Sequence, residues 1–168
     1  MEKAVPAATN YNTAPFFSML MHPVKFRLYL LKNIPSAFFS GLKVVEATEK
    51  DCCVSVPFKW FTQNPFRSTY FACLSMAAEL STGALAMANI YGRKPSVSML
   101  VTGMGARYHK KAKGQTYFHC QDGEGIAQAI ATAVTTGAGQ EMKVYSRGTN
   151  KEGELVAEFW FTWSFKLR

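Results

Sequence analysis

Long runs of like charge are missing from this 168-residue chain: no Lys/Arg run exceeds the pairs Arg93-Lys94 and Lys110-Lys111. The formal net charge of +8 therefore lacks the continuous basic stripe of an extended nucleic-acid binder, and no nucleic-acid partner is expected. The excess charge still suits a small phosphorylated ligand. Cysteine is sparse and unpatterned. Cys52 and Cys53 are adjacent, Cys73 and Cys120 stand alone, and none has CxxC spacing. His22, His109 and His119 are equally scattered, so no metal site is expected, and the thiols point to a reducing compartment. The opening MEKAVPAATNYNTAPFF lacks the charged start, long apolar run and cleavage site of a secretory signal, which makes a cytoplasmic protein the expectation. Internal repeats and low-complexity segments are absent too.

What is present is apolar and aromatic. Hydrophobic residues make up 48% and charged residues 18%, with 13 Phe, 7 Tyr and 3 Trp, a composition that fits one globular domain rich in strands. The first dozen residues carry no periodic signal. Residues 15–32 have helical spacing interrupted by Pro23, which predicts two short helices meeting at His22-Pro23 and ending at Asn33-Ile34-Pro35. Residues 41–47 and 52–58 flank the polar turn Thr48-Glu49-Lys50-Asp51 and predict a hairpin. Strands are expected at 96–109, with a bulge near Gly103 and Gly105, at 115–121 and at 140–147, and a small helix at 126–135. The last segment alternates strictly. Leu155, Ala157, Phe159, Phe161, Trp163 and Phe165 face one way, as in a half-buried antiparallel strand, and Trp160 alone breaks the polar face.

Residues 68–89 read STYFACLSMAAELSTGALAMAN, and Glu79 is their only charge. The stretch is apolar on nearly every side, so it predicts an enclosed helix, with Ser68 or Thr69 as candidate N-cap. It is long enough to span a bilayer, but an acid at mid-bilayer costs roughly 2.5–3.5 kcal/mol, so no membrane span is expected. A carboxylate inside an enclosure needs a partner, a hydrogen bond or a proton. Glu79 thus faces a gap open to solvent, pairs with a nearby Arg or Lys, or serves as a catalytic acid or base.

The order of elements and the residues around the helix resemble the hotdog-fold acyl-CoA thioesterases, in particular the phenylacetic-acid type and its poorly characterised relatives. That signature runs Asn, a Gly three later, His-Gly-Gly at the start of the central helix, and an acid nine residues after the His. Here Asn64 and Glu79 match the Asn and the acid, Arg67 falls on the first Gly, and Tyr70-Phe71-Ala72 falls on His-Gly-Gly. Ala112-Lys113-Gly114 resembles the turn between the family's long strands, and residues 152–157 its last hairpin. The resemblance implies an α+β hotdog fold, an antiparallel sheet wrapped around one long helix. It would occupy residues 38–168, preceded by an N-terminal helical extension over 1–37.

The same resemblance implies thioester hydrolysis. Backbone N–H groups of Tyr70, Phe71 and Ala72 would hold the oxyanion, and Glu79, aided by Asn64, would act on water or on the carbonyl. Arg67, Arg107, Lys110, Lys111 and Lys113 would meet the phosphates of coenzyme A, present only as part of the substrate and not as a cofactor. The implied site forms at a homodimer interface, and a dimer of dimers stays open. Two other classes remain: a non-catalytic hotdog module that binds an acyl group, favoured by the missing glycines, and a nucleic-acid binder, favoured by charge alone.

Overall fold

The structure, a computed structural model, describes residues 11–168, so most of the patternless N-terminus lies outside the described residues. Three short helices open the chain: α1 (Ala14–Met21), α2 (Pro23–Asn33) and α3 (Pro35–Ser40). Each has proline in its first turn, where the missing N–H costs nothing and the fixed φ suits the helix. The His22 ring nitrogen accepts the Lys25 N–H and caps α2. Pro35 therefore begins a third helix as well as ending the second, a helix the periodicity did not predict because it is six residues long. Gly41, in the left-handed region at φ 79°, closes α3, which pushes the first strand back from residue 41 to Lys43.

β1 (Lys43–Ala47) and β2 (Cys52–Val56) form the expected hairpin, and the long helix is α4 (Phe71–Ile90). β3 (Val97–Tyr108), β4 (Thr116–Cys120), α5 (Gly123–Thr136), β5 (Gln140–Thr149) and β6 (Leu155–Leu167) complete the chain. The six strands make one wholly antiparallel sheet in the order β1-β2-β4-β5-β6-β3. Its inner face lies against α4, and α5 packs beside that helix. This is the hotdog fold. The alternation in β6 sets its inner face: Phe159, Phe161 and Phe165 are buried, Phe159 packs edge-on against Phe118 of β4, and Phe161 stacks on Phe159. Each buried Phe contributes about 1.5–3 kcal/mol of apolar transfer, so sheet and helix stabilise one another.

α4 is also the one helix among the described residues long and apolar enough to cross a membrane, and 67% of its most apolar window is buried inside the protein. Its apolar surface serves the sheet. The bulge in β3 falls between Val101 and Gly103. Gly105 serves packing on the outer face. A Cβ there would lie 2.0 Å from the Trp160 ring, so the bare backbone makes room for that indole.

Candidate functional site

The loop before α4 is organised by Asn64. Its Oδ1 accepts the N–H groups of Phe66 and Ser68, at 3.0 and 3.2 Å, and the Ser68 hydroxyl at 3.2 Å. Its Nδ2 donates to the Thr69 carbonyl at 3.4 Å, leaving one amide hydrogen uncommitted. Arg67 stands at φ 55°, the left-handed conformation that an L-residue enters at a cost and a glycine enters freely. That is the position where the thioesterase signature has its first glycine. The turn survives the substitution, and the strain stays behind.

The helix cap is Tyr70, two residues past Ser68 and one past Thr69, because Tyr70 has extended backbone and its carbonyl accepts from Cys73. Its own N–H donates to the Thr62 carbonyl at 2.7 Å, so Tyr70 is not a free oxyanion donor. Phe71 and Ala72, the first two helical residues, have no partner for their N–H groups among the described residues. The Phe71 side chain is 55% exposed and packs edge-on against Tyr70, clear of the core. Beside them, the buried Thr69 hydroxyl also lacks a partner. Unpaired donors at the positive end of a helix are the physical requirement for holding an anion or an oxyanion.

Next to this end lies the basic turn. Thr69 N–H donates to the Ala112 carbonyl at 2.8 Å, which ties the turn to the helix start. A cavity of about 370 Å³ opens there, lined by Lys110, Lys111, Lys113, Asn150, Lys151 and Glu154 among others. Lys110 is committed to Glu154 at 2.6 Å, and Lys111 lies over the Phe66 ring. Arg107 is not part of this group: it lines a different cavity with Lys143, Tyr145 and Trp160.

Glu79 sits elsewhere on the same helix. Eight residues separate it from Phe71, about 12 Å of helix axis at 1.5 Å per residue. Its carboxyl lies in a cavity of about 210 Å³, walled by α4, by Met99 of β3 and by Phe16, Leu20 and Phe26 of the N-terminal helices. No ion pair or hydrogen bond engages its carboxylate among the described residues, which removes the structural ion pair as an explanation. Burial alone pushes its pKa above the ordinary 4.5. Gly83, one turn on, lets the carboxylate lie over the helix: a Cβ there would come within 3.1 Å of Glu79 Oε1. Gly83 and the walls from α1 and α2 are site features the motif did not reveal. A glycine four residues after the acid, in a helix interior where it costs about 1 kcal/mol relative to alanine, was the available signal.

Within one chain, then, Phe71, Ala72, Asn64 and the lysines share one end of the helix, and Glu79 occupies another chamber. No group of three His, Cys, Asp or Glu among the described residues is placed to hold a metal ion.

Residues 30–165 match the family described as Domain of unknown function (DUF4442), and with most of its length matched the chain belongs to that family. No curated protein matches it significantly. Among solved structures it is similar to a protein of unknown function from Pseudomonas aeruginosa described as a probable thioesterase, at 24% identity and TM-score 0.73, covering 87% of this chain and 97% of that one. It is likewise similar to a putative thioesterase from Shewanella oneidensis, at 13% identity and TM-score 0.72, covering 90% and 99%. A thioesterase from Haemophilus influenzae aligns at 11% identity and TM-score 0.60, covering 83% and 88%. At such identities the likeness is one of fold.

Proposed function

We propose that the protein is a hydrolase of small acyl-CoA thioesters working as a homodimer, similar in fold and chemistry to the phenylacetic-acid-type hotdog enzymes. The observation that carries this reading is the unpartnered Glu79 carboxyl, held in an apolar cavity on the helix whose first N–H groups are also unpartnered. A base of raised pKa takes a proton from water more readily than an ordinary carboxylate. The water oxygen bonds to the thioester carbon, and Phe71 and Ala72 N–H groups receive the oxyanion. The C–S bond then breaks, and Glu79 returns its proton to the leaving thiolate.

The 12 Å between acid and donors supports assembly of the site from two chains, one supplying Glu79 and its partner supplying Asn64, Phe71 and Ala72. The sheet's edges favour such pairing. β1 is short, bulged and packed against α1, whereas β3 is twelve residues long and open on one side. On β3, Met104 stands opposite buried Phe161, on the inner face, yet is 54% exposed; Leu100 on the outer face is 66% exposed. A dimer, or two dimers back to back, would cover them. Lys111 and Lys113 meet coenzyme A phosphates as part of the substrate. Four unpaired cysteines agree with a cytoplasmic setting, where acyl-CoA is found.

The second reading, an acyl-binding module without catalysis, is favoured by Phe71 and Ala72 in place of glycines and by the structural employment of Asn64. One variant separates the two. Glu79→Gln keeps size and hydrogen-bonding capacity, and its thiol release from acyl-CoA is expected to fall about 10²–10⁴-fold. Equal hydrolysis by wild type and variant would remove Glu79 from the chemistry, and absent hydrolysis with retained acyl-CoA binding would establish the module.

A further inference from the structure

The Glu79 cavity has a composition and a shape that specify what enters it. Apart from the carboxyl itself and the Tyr29 hydroxyl, its lining is hydrocarbon and thioether. It reaches along α4 from Glu79 to Met87, eight residues and about 12 Å of helix. Gly83 keeps the floor between them flat, with Trp163 beneath: a side chain at 83 would meet that indole as well as the carboxylate. The roof belongs to the N-terminal helices. Phe16, Leu20 and Phe26 are each at least 96% buried, so this wall is packed into the core and fixed.

A carboxyl at one end of an otherwise apolar cavity suits an acyl group with its carbonyl at the acid. Size then follows from volume. An apolar cavity near 150 Å³ holds one benzene, about 25 Å³ per carbon, so some 210 Å³ takes roughly eight carbons. Resting on the hydrolase reading above, we propose that this cavity is the acyl pocket, and that α1 and α2 make it a size filter. It admits straight, branched or benzenoid acyl groups up to about eight carbons and excludes long fatty chains. Met87 and Met99, unbranched and adaptable, form its far end.

The test uses the full chain and a series of acyl-CoA esters from butyryl to palmitoyl, with phenylacetyl included, and reads ratios of kcat/KM. Wild type is expected to prefer hexanoyl, octanoyl and phenylacetyl, and to lose at least about tenfold at dodecanoyl. Met87→Ala deepens the cavity and should raise the dodecanoyl-to-hexanoyl ratio about tenfold. Ala84→Leu, which adds bulk to the wall that Ala84 contributes, should lower the octanoyl-to-butyryl ratio by a similar factor. Ratios are indifferent to a general loss of active protein, and the two variants act in opposite directions.

Calorimetric binding of non-hydrolysable S-alkyl-CoA thioethers of the same lengths runs alongside. Length preference that shifts with both variants in binding, without any hydrolysis, keeps the pocket and removes the hydrolase. Hydrolysis whose length profile is unmoved by both variants, or palmitoyl used as well as hexanoyl, keeps the hydrolase and overturns the pocket. No binding of any length overturns both.

Discussion

The two chambers served by α4 are opposites. At the helix start the surroundings are polar, with free N–H groups and an asparagine-built loop, and the adjoining basic turn lines a cavity of about 370 Å³. Farther along, the surroundings are apolar, with one carboxyl among aliphatic and aromatic walls. The first can hold negative charge and phosphate, and of its carboxylates Glu154 is spent on Lys110 and Glu152 lies among the lysines of the turn. The second has a base and room for hydrocarbon but no pair of unpartnered backbone N–H groups to receive an oxyanion. One helix thus presents two complementary chemistries, displaced by about 12 Å of helix axis, and in the proposed hydrolase each would supply half of the reaction.

Separating the chains tests that division most severely. Leu100→Asp with Met104→Asp places charge along the open β3 edge, and is expected to reduce the particle to a monomer of 18.7 kDa by light scattering. With base and donors parted, hydrolysis should fall at least about 100-fold. A monomer of undiminished activity would show that one chain suffices. The next effect belongs to the polar chamber. Lys111→Ala with Lys113→Ala should raise KM for acyl-CoA about tenfold and leave kcat nearly unchanged, since remote phosphate contacts bind ground and transition states alike. Arg107→Ala, in another cavity, should leave both KM and kcat nearly unchanged. A KM rise from Arg107 equal to that from the lysines would redraw the chamber.

The fold was legible because its signals are periodic. β6 alternates without a break on its inner face, and residues 68–89 are apolar all round, so strand and enclosed helix were plain. The site was legible in part. Glu79 was selected by its isolation as the only charge in residues 68–89 together with the motif spacing, and only the packing of distant elements could reveal its lack of a partner. The roof from Phe16, Leu20 and Phe26 escaped because it depends on contacts some 60 residues apart in sequence, which leave no local pattern. Tyr70 was assigned as an oxyanion donor, and its N–H is taken up by Thr62, a pairing invisible before the loop was folded. Ser68 and Thr69 look like caps by residue type, but both are buried in the loop that precedes the helix.

A smaller effect sharpens the contrast on the apolar side, through pH. Burial raises the Glu79 pKa above 4.5 in the folded state, so the folded protein binds more protons there than the unfolded chain. The charged carboxylate therefore costs stability in full above its raised folded pKa. That cost is relieved as pH falls through the folded value towards 4.5. Glu79→Gln carries no such cost. It should melt above wild type at neutral pH, with the gap narrowing on acidification, while its hydrolysis is lost. A gap that stays constant or widens in acid would mean that the carboxylate is compensated by a group from outside its own chain.

The smallest effect concerns Arg67, where the polar chamber departs from the glycine of the resembled signature. A left-handed conformation costs an L-residue roughly 1–2 kcal/mol, and glycine gives back about 0.5–1 kcal/mol of that through its freer unfolded chain. Arg67→Gly should therefore stabilise by about 0.5–1 kcal/mol, or about 1–4 °C in melting temperature for a domain of this size. Arg67→Ala removes the same charge and keeps the strain, so it should melt close to wild type. The pair also separates backbone from binding. If the guanidinium meets a coenzyme A phosphate, both variants raise KM equally; if the residue serves only the turn, neither does. A glycine variant no more stable than the alanine one would mean that the turn stores no strain, and that its conformation is set wholly by the four bonds of Asn64.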